Sequence, residues 1–324
     1  MLRPAIFGLI LLFWAGSSWA MGEVPLSPEA IVIPSIECYQ VYGAPGAGEK
    51  QFFNPQDVKV ALIGDLETGL GDIFVADTGN NRIQRLNEDG TFIYQFGGFG
   101  NTPAKFNSPD GLAVDFNFRT YIAEKDNNRV QLLDIRGNFL TFVATGEYKG
   151  RSLLYPAGMD VDQLGRLYVA DSGNDRILQF DDGGNFMQEI GSFGAGRGFL
   201  NRPMDVAVDS DRSIYVADTS NCQIQKFDYD ARPIFSFGGM GSGDGELLNP
   251  QSLAVDNYFV YVADTGNDRI CLFTKRGKFL KAFGTRGTGQ GEFNSPAGLS
   301  LGRDRHIFVA DAGNNRIQEL RLIF

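Results

Sequence analysis

Along the chain, apolar runs of about five residues alternate with clusters of Gly, Asp and Asn, and no window sustains a helical period. One stretch shows the unit. Residues 158–162 and 166–170 read as two short strands. Asp171-Ser172-Gly173-Asn174 turns the second into a third, residues 176–180. Asp181-Asp182-Gly183-Gly184 leads to a fourth, residues 185–190, which Gly191 ends. Asp and Asn side chains bond nearby amides, and Gly is expected to supply the positive φ of a tight hairpin.

The second turn belongs to a phrase that recurs. Ala76-Asp77-Thr78-Gly79-Asn80-Asn81-Arg82-Ile83 returns with its acidic residue at Glu124, Asp171, Asp218, Asp264 and Asp311. Successive steps are 47, 47, 47, 46 and 47 residues. The Arg returns at Arg129, Arg176, Arg269 and Arg316, whereas the fourth copy has Cys222 and Gln223. Asp77, Arg82 and their counterparts are read as structural, an ion pair tying a blade to itself or to its neighbour. Four strands and their connections take roughly 40 to 45 residues, close to this step. Six such units make an all-β, six-bladed β-propeller.

A ring must close. The chain ends after only three strands of the sixth unit, and a matching fourth lies at the start. Residues 37–43, followed by Ala44-Pro45-Gly46-Ala47-Gly48 and Phe53-Asn54-Pro55, parallel residues 278–284 and their own continuation through residue 296. The N-terminal strand is therefore expected to close the last blade and remove an open sheet edge. The expected organisation is a signal peptide over 1–20, a leader over 21–35 and the propeller over 36–324.

The phrase Val262-Ala263-Asp264-Thr265-Gly266-Asn267-Asp268-Arg269-Ile270 is preceded by Asn249-Pro250 and followed by the Gly-rich residues 284–292. In this it resembles the NHL repeat, over about residues 36 to 324. Proteins of that family include protein- and RNA-binding modules, sensor domains and a few metal-dependent lyases. The resemblance implies the fold and leaves the function open.

Composition narrows the choice. The 27 Phe and 11 Tyr suit strands, and a formal charge of −10 disfavours nucleic acid as a partner. Arg3, the apolar residues 5–15 and the small residues at Ser18 and Ala20 form a secretory signal pattern. That apolar stretch is too short to span a hydrocarbon core of roughly 30 Å. A periplasmic or secreted protein without stable membrane insertion is expected. Cys38, Cys222 and Cys271 read as free thiols.

Chemistry is sparse. The single His, His306, falls just before a second strand and reads as a solvated turn residue. One His and three scattered Cys do not assemble a zinc site. The Gly-rich residues 97–100 and 238–245 lack the Lys-Ser/Thr of a phosphate loop and read as blade crossovers. No resident cofactor is expected; calcium on channel carboxylates and carbonyls is the one metal left open.

What remains is the face carrying the crossovers and the second-to-third turns. After each repeated Pro come Gln56-Asp57, Asp110-Gly111, Ala157-Gly158, Met204-Asp205, Gln251-Ser252 and Ala297-Gly298, a ring around the channel mouth. Phe99, Tyr148 and Phe193 are expected on its rim. Gln56, Asp57, Asp110, Phe193, Met204, Asp205 and Gln251 are the candidate contacts for a protein or glycan partner. Lys59 and Asp160 replace small residues of the inner strands and are expected in the channel. The competing expectation is a hydrolase or lyase with a divalent ion at the channel.

Overall fold

The structure, a computed structural model, describes residues 33–61 and 71–324. It contains six four-stranded sheets, and in the first five the chain runs from the inner strand outward. Blade three runs Pro156–Val161, Leu167–Asp171, Arg176–Phe180 and Phe186–Ile190, close to the expected bounds. The inner strands are Asp57–Ala61, Pro109–Val114, Pro156–Val161, Pro203–Val208, Ser252–Val255 and Pro296–Leu301. Each touches the next and the last touches the first, so the sheets form a propeller around a central channel.

Closure follows the expectation. Ser35–Tyr42 pairs antiparallel with Arg316–Ile323, with Ser35 opposite Ile323 and Tyr42 opposite Ile317. The strand buries Ile36 and Tyr42. The expected signal peptide, most of the expected leader and residues 62–70 of the first blade lie outside the described residues.

Each sheet is covered on both faces by its neighbours, which is why second strands such as His306–Asp311 are buried throughout. The core is thus a set of seams between blades. One seam joins Tyr168 and Ile177 of blade three to Val206, Val216 and Phe227 of blade four.

The repeated phrase works in both directions. In blade three, Arg176 Nε donates to Asp171 Oδ2 at 2.7 Å, and both side chains are fully buried. The other guanidinium nitrogens donate to the Tyr148 and Arg151 carbonyls of the incoming crossover and to Glu189. Asp171 Oδ1 meanwhile accepts from the Leu154 amide. The same pair recurs as Arg82–Asp77, Arg129–Glu124, Arg269–Asp264 and Arg316–Asp311. In blade four Gln223 substitutes, donating to Asp218 at 2.8 Å. The residue before the Arg reaches the next blade: Asn128 accepts from the Tyr155 amide and Asp175 from the Arg202 amide.

The glycine of the turn has a different role from the one expected. The left-handed φ belongs to the residue two further on, +54° at Asn81 and +57° at Asp175. Gly173 instead lies against the crossover, donating to the Leu154 carbonyl, and a Cβ there would sit 2.9 Å from that oxygen. Close approach, not dihedral freedom, requires it.

His306 is also a correction. It is the first residue of a second strand and is buried, bonded through Nδ1 to Glu319 and set edge-on to Tyr39 at 5.3 Å. Tyr39 lies on the closing strand, which covers what would otherwise be an exposed end. All three cysteines are free thiols, with Cys222 and Cys271 buried.

Candidate functional site

The inner strands begin at one end of the channel, so their first residues converge there. Gln56, Asp57, Asp110, Met204, Asp205 and Gln251 line one narrow cavity of about 20 Å³. Six of the seven candidate contacts therefore meet. Phe193 stands outside it, 70% exposed on the crossover into blade four. Tyr148, expected on the rim, packs instead against Phe180 and Phe186 of blade three.

The three acids of the ring are buried, contrary to the exposure expected of partner contacts, and two of them, Asp57 and Asp205, stitch one blade to the next. Asp57 Oδ2 accepts from the Leu112 amide of blade two at 2.7 Å, and Oδ1 from its own neighbour Val58 at 2.8 Å. Asp205 Oδ2 accepts from Ser252 Oγ at 2.7 Å and the Leu253 amide at 3.0 Å, both in blade five. Glycines at the same register leave the room: a Cβ on Gly158 would collide with Asp205, and one on Gly298 with Asp57. An Asp205→Ala change would therefore strip a seam as well as a surface.

Two residues further in, Lys59 and Asp160 line a second cavity of about 190 Å³ together with Ala207, Ala254 and Ser300. Asp160 accepts from the Val208 amide of blade four at 2.8 Å. Burial disfavours the charged form of Lys59, but Asp160, Asp57 and Asp205 outweigh it and raise the ammonium's pKa. Burial drives the Asp57 carboxyl up to about 8, with Lys59 and two amides pulling it down and Asp205 pushing it further up. Burial likewise carries Asp205 to about 6. Burial also raises Asp110, against the pull of Lys125 and Arg202. Carboxyls titrating near neutrality can hold or release a proton at the mouth.

These shifts set a pH dependence. A carboxyl whose folded pKa exceeds its unfolded value gains protons on folding, so its stabilisation is lost as pH rises through the folded value. For Asp57 that window runs from about 4 to about 8. Lys59→Met removes the cation that limits the rise. Its stability in urea should therefore fall more steeply than that of the wild type between about pH 5 and about pH 8. Parallel slopes would show that the channel acids do not sense Lys59.

Among the described residues, no three His, Cys, Asp or Glu side chains cluster as a metal-ligand set. The carboxylate oxygens of Asp57 and Asp205 already accept protein donors. The arrangement does not fit a preformed calcium site. Among the described residues no helix is long and apolar enough to cross a membrane.

Sequence comparison of the ring positions missed three residues beside the mouth. Lys125 stands where other turns carry Thr78, Ser172, Thr219, Thr265 or Ala312. Tyr155 and Arg202 stand where other blades carry Asn54, Ser108, Asn249 or Ser295 before the repeated Pro. Lining up the turn and pre-proline positions in the same way would have found them.

A sixfold repeat of four-stranded blades closed by the N-terminal strand, with an inner ring of stitching acids, defines a β-propeller scaffold. A model of the NHL repeat matches residues 153–180, 200–227 and 293–320, in blades three, four and six. The chain is an NHL-repeat propeller. No curated protein matches it in sequence. Among solved structures it is similar to a streptogramin B lyase, with 14% identity over 89% of this chain and 98% of that one, and a TM-score of 0.60. It is similar also to virginiamycin B lyase from Staphylococcus aureus, at 15% identity over 90% and 100% of the two chains and a TM-score of 0.57. A gluconolactonase from Xanthomonas campestris matches at 14% identity, over 89% and 97%, with a TM-score of 0.61. At these identities the likeness concerns the fold alone.

Proposed function

We propose that the protein is exported and acts outside the cytoplasm as a binding scaffold, holding a protein or glycan partner on its loop face. One observation carries this reading. At a single repeated crossover position, blades one, three and four present Phe99, Phe193 and Met240, which are 75%, 70% and 75% exposed. In blades five and six the same position carries Arg286 and Pro45, so the repeat itself does not require large apolar side chains there. Exposed apolar groups beside a concave polar mouth are the usual material of an interface. The signal pattern supports export, and the acidic net charge argues against nucleic acid.

The triple change Phe99→Ser, Phe193→Ser and Met240→Ser tests the reading. Each exposed site should alter stability by no more than about 0.5 kcal/mol. Affinity capture from the native extracytoplasmic fraction should lose the partner that the wild type retains. Equal capture by both would remove the loop face as the site.

A second reading is a hydrolase or lyase working with a divalent ion at the channel. It is favoured by the Asp57 carboxyl, which titrates near neutrality at the mouth. Two of the similar folds are also described as lyases and one as a gluconolactonase. A defined turnover that a chelator abolishes, and that Asp57→Asn also abolishes, would replace the scaffold with the enzyme.

A further inference from the structure

Beside the central mouth, between blades two, three and four, lies an adjoining cavity of about 370 Å³. Lys125, Tyr155, Arg202, Met204 and Asp110 line it. Four of these are the residues that depart from the repeat. Lys125 replaces a small turn residue, Tyr155 and Arg202 replace Asn or Ser, and Met204 stands where four of the other five blades carry Gln or Ala. Departures scattered by drift would fall around the whole ring, whereas these converge on one side of it.

Two of the departures are placed against local preference. Tyr155 has φ +47° and Arg202 φ +52°, a left-handed conformation that suits the Asn found at Asn54 and Asn249 far better. The cations also differ from the arginines of the repeated phrase. The repeat arginines are fully engaged with carboxylates and carbonyls. Among the described residues, by contrast, the Lys125 ammonium and the Arg202 guanidinium have no hydrogen bond or ion pair, only the field of Asp110. The lining sets these two cations beside one carboxylate, Asp110, with Asp126 close by, in a chain of net charge −10.

We infer that this cavity binds a small organic carboxylate, the anion meeting Lys125 and Arg202 and its apolar part lying against Tyr155 and Met204. The volume falls within the range of about 300–1,000 Å³ typical of small-ligand pockets. Arg offers a planar fork for the carboxylate, and the Tyr ring offers a rigid apolar face. The inference stands apart from the partner reading, because it needs neither Phe99 nor Phe193.

The test uses N-acetylphenylalanine and its uncharged amide as probes, titrated calorimetrically against the full mature chain. The carboxylate should bind saturably and the amide about tenfold or more weaker, as loss of a charge-assisted contact implies. Arg202→Asn should melt no lower than the wild type, since Asn suits the backbone there, yet bind the carboxylate about tenfold more weakly. Tyr155→Asn should behave alike, while Lys278→Met, on an exposed turn elsewhere, should leave binding unchanged. Equal binding of acid and amide, unchanged affinity in Arg202→Asn and Tyr155→Asn, or no saturable binding at millimolar probe would each overturn the site. Equal partner capture by the triple Ser variant and the wild type, with carboxylate binding intact, would sink only the scaffold reading.

Discussion

Replacing Arg176 with Met is expected to cost the fold about 3–5 kcal/mol, the usual penalty for leaving a buried charge without its partner. Asp171 is fully buried and is held by the Arg176 Nε contact at 2.7 Å, the Asn174 side-chain amide and the Leu154 amide. Met would fill part of the volume but would supply no donor. The change would also release the Tyr148 and Arg151 carbonyls, to which Arg176 donates at 2.8 and 3.0 Å, so the crossover from blade two would lose its anchor. Urea denaturation measures the loss. Asp171→Asn in the same chain should recover part of it, because an amide carries no buried charge. Arg269→Met should cost less, since that side chain is 13% exposed and water can reach the carboxylate's surroundings. A loss under about 1 kcal/mol for Arg176→Met would mean the pair contributes little beyond its packing.

Removing the chain up to residue 43 should have the other large effect. Ser35–Tyr42 is the only outer strand available to blade six among the described residues. Without it, Arg316–Ile323 becomes an open edge eight residues long, the kind of edge that recruits other chains. The truncation also uncovers the site of Ile36 and Tyr42 and removes the hydroxyl that Tyr42 donates to Glu319. Light scattering should show oligomers or aggregates, and the melting transition should fall well below that of the parent. A monomer melting like the parent would show that three strands suffice for blade six.

Much of this was legible in the sequence because a repeat transmits position. Once Glu124 and Asp171 are known to be equivalent, so are Asp110 and Ala157, fourteen residues before each, and the ring at the mouth emerges without coordinates. The closing strand was legible for the same reason, since the segment after Tyr42 matches the segment after Phe283. What a repeat does not transmit is which side chains face each other across a seam. Asp57 and Asp205 look like surface acids in one dimension. They are buried because the neighbouring blades offer amides to them and glycines at 158 and 298 leave them space. His306 is hidden by residues far away in sequence, Tyr39 and Glu319. The turn glycines mislead in another way: their φ is ordinary, and only the crossover carbonyl packed against them explains their need.

The pairing of Ser35 with Ile323 has a consequence for how the molecule can be held. Arg316 leaves a turn beside the mouth, so the strand runs away from it, and Ile323 and Ser35 both finish at the far rim of blade six. The two ends of the ring are thus neighbours pointing the same way. A support joined to either end, or to both at once, would grip the propeller from behind and leave the loop face turned outward and unobstructed, like a dish on a stalk.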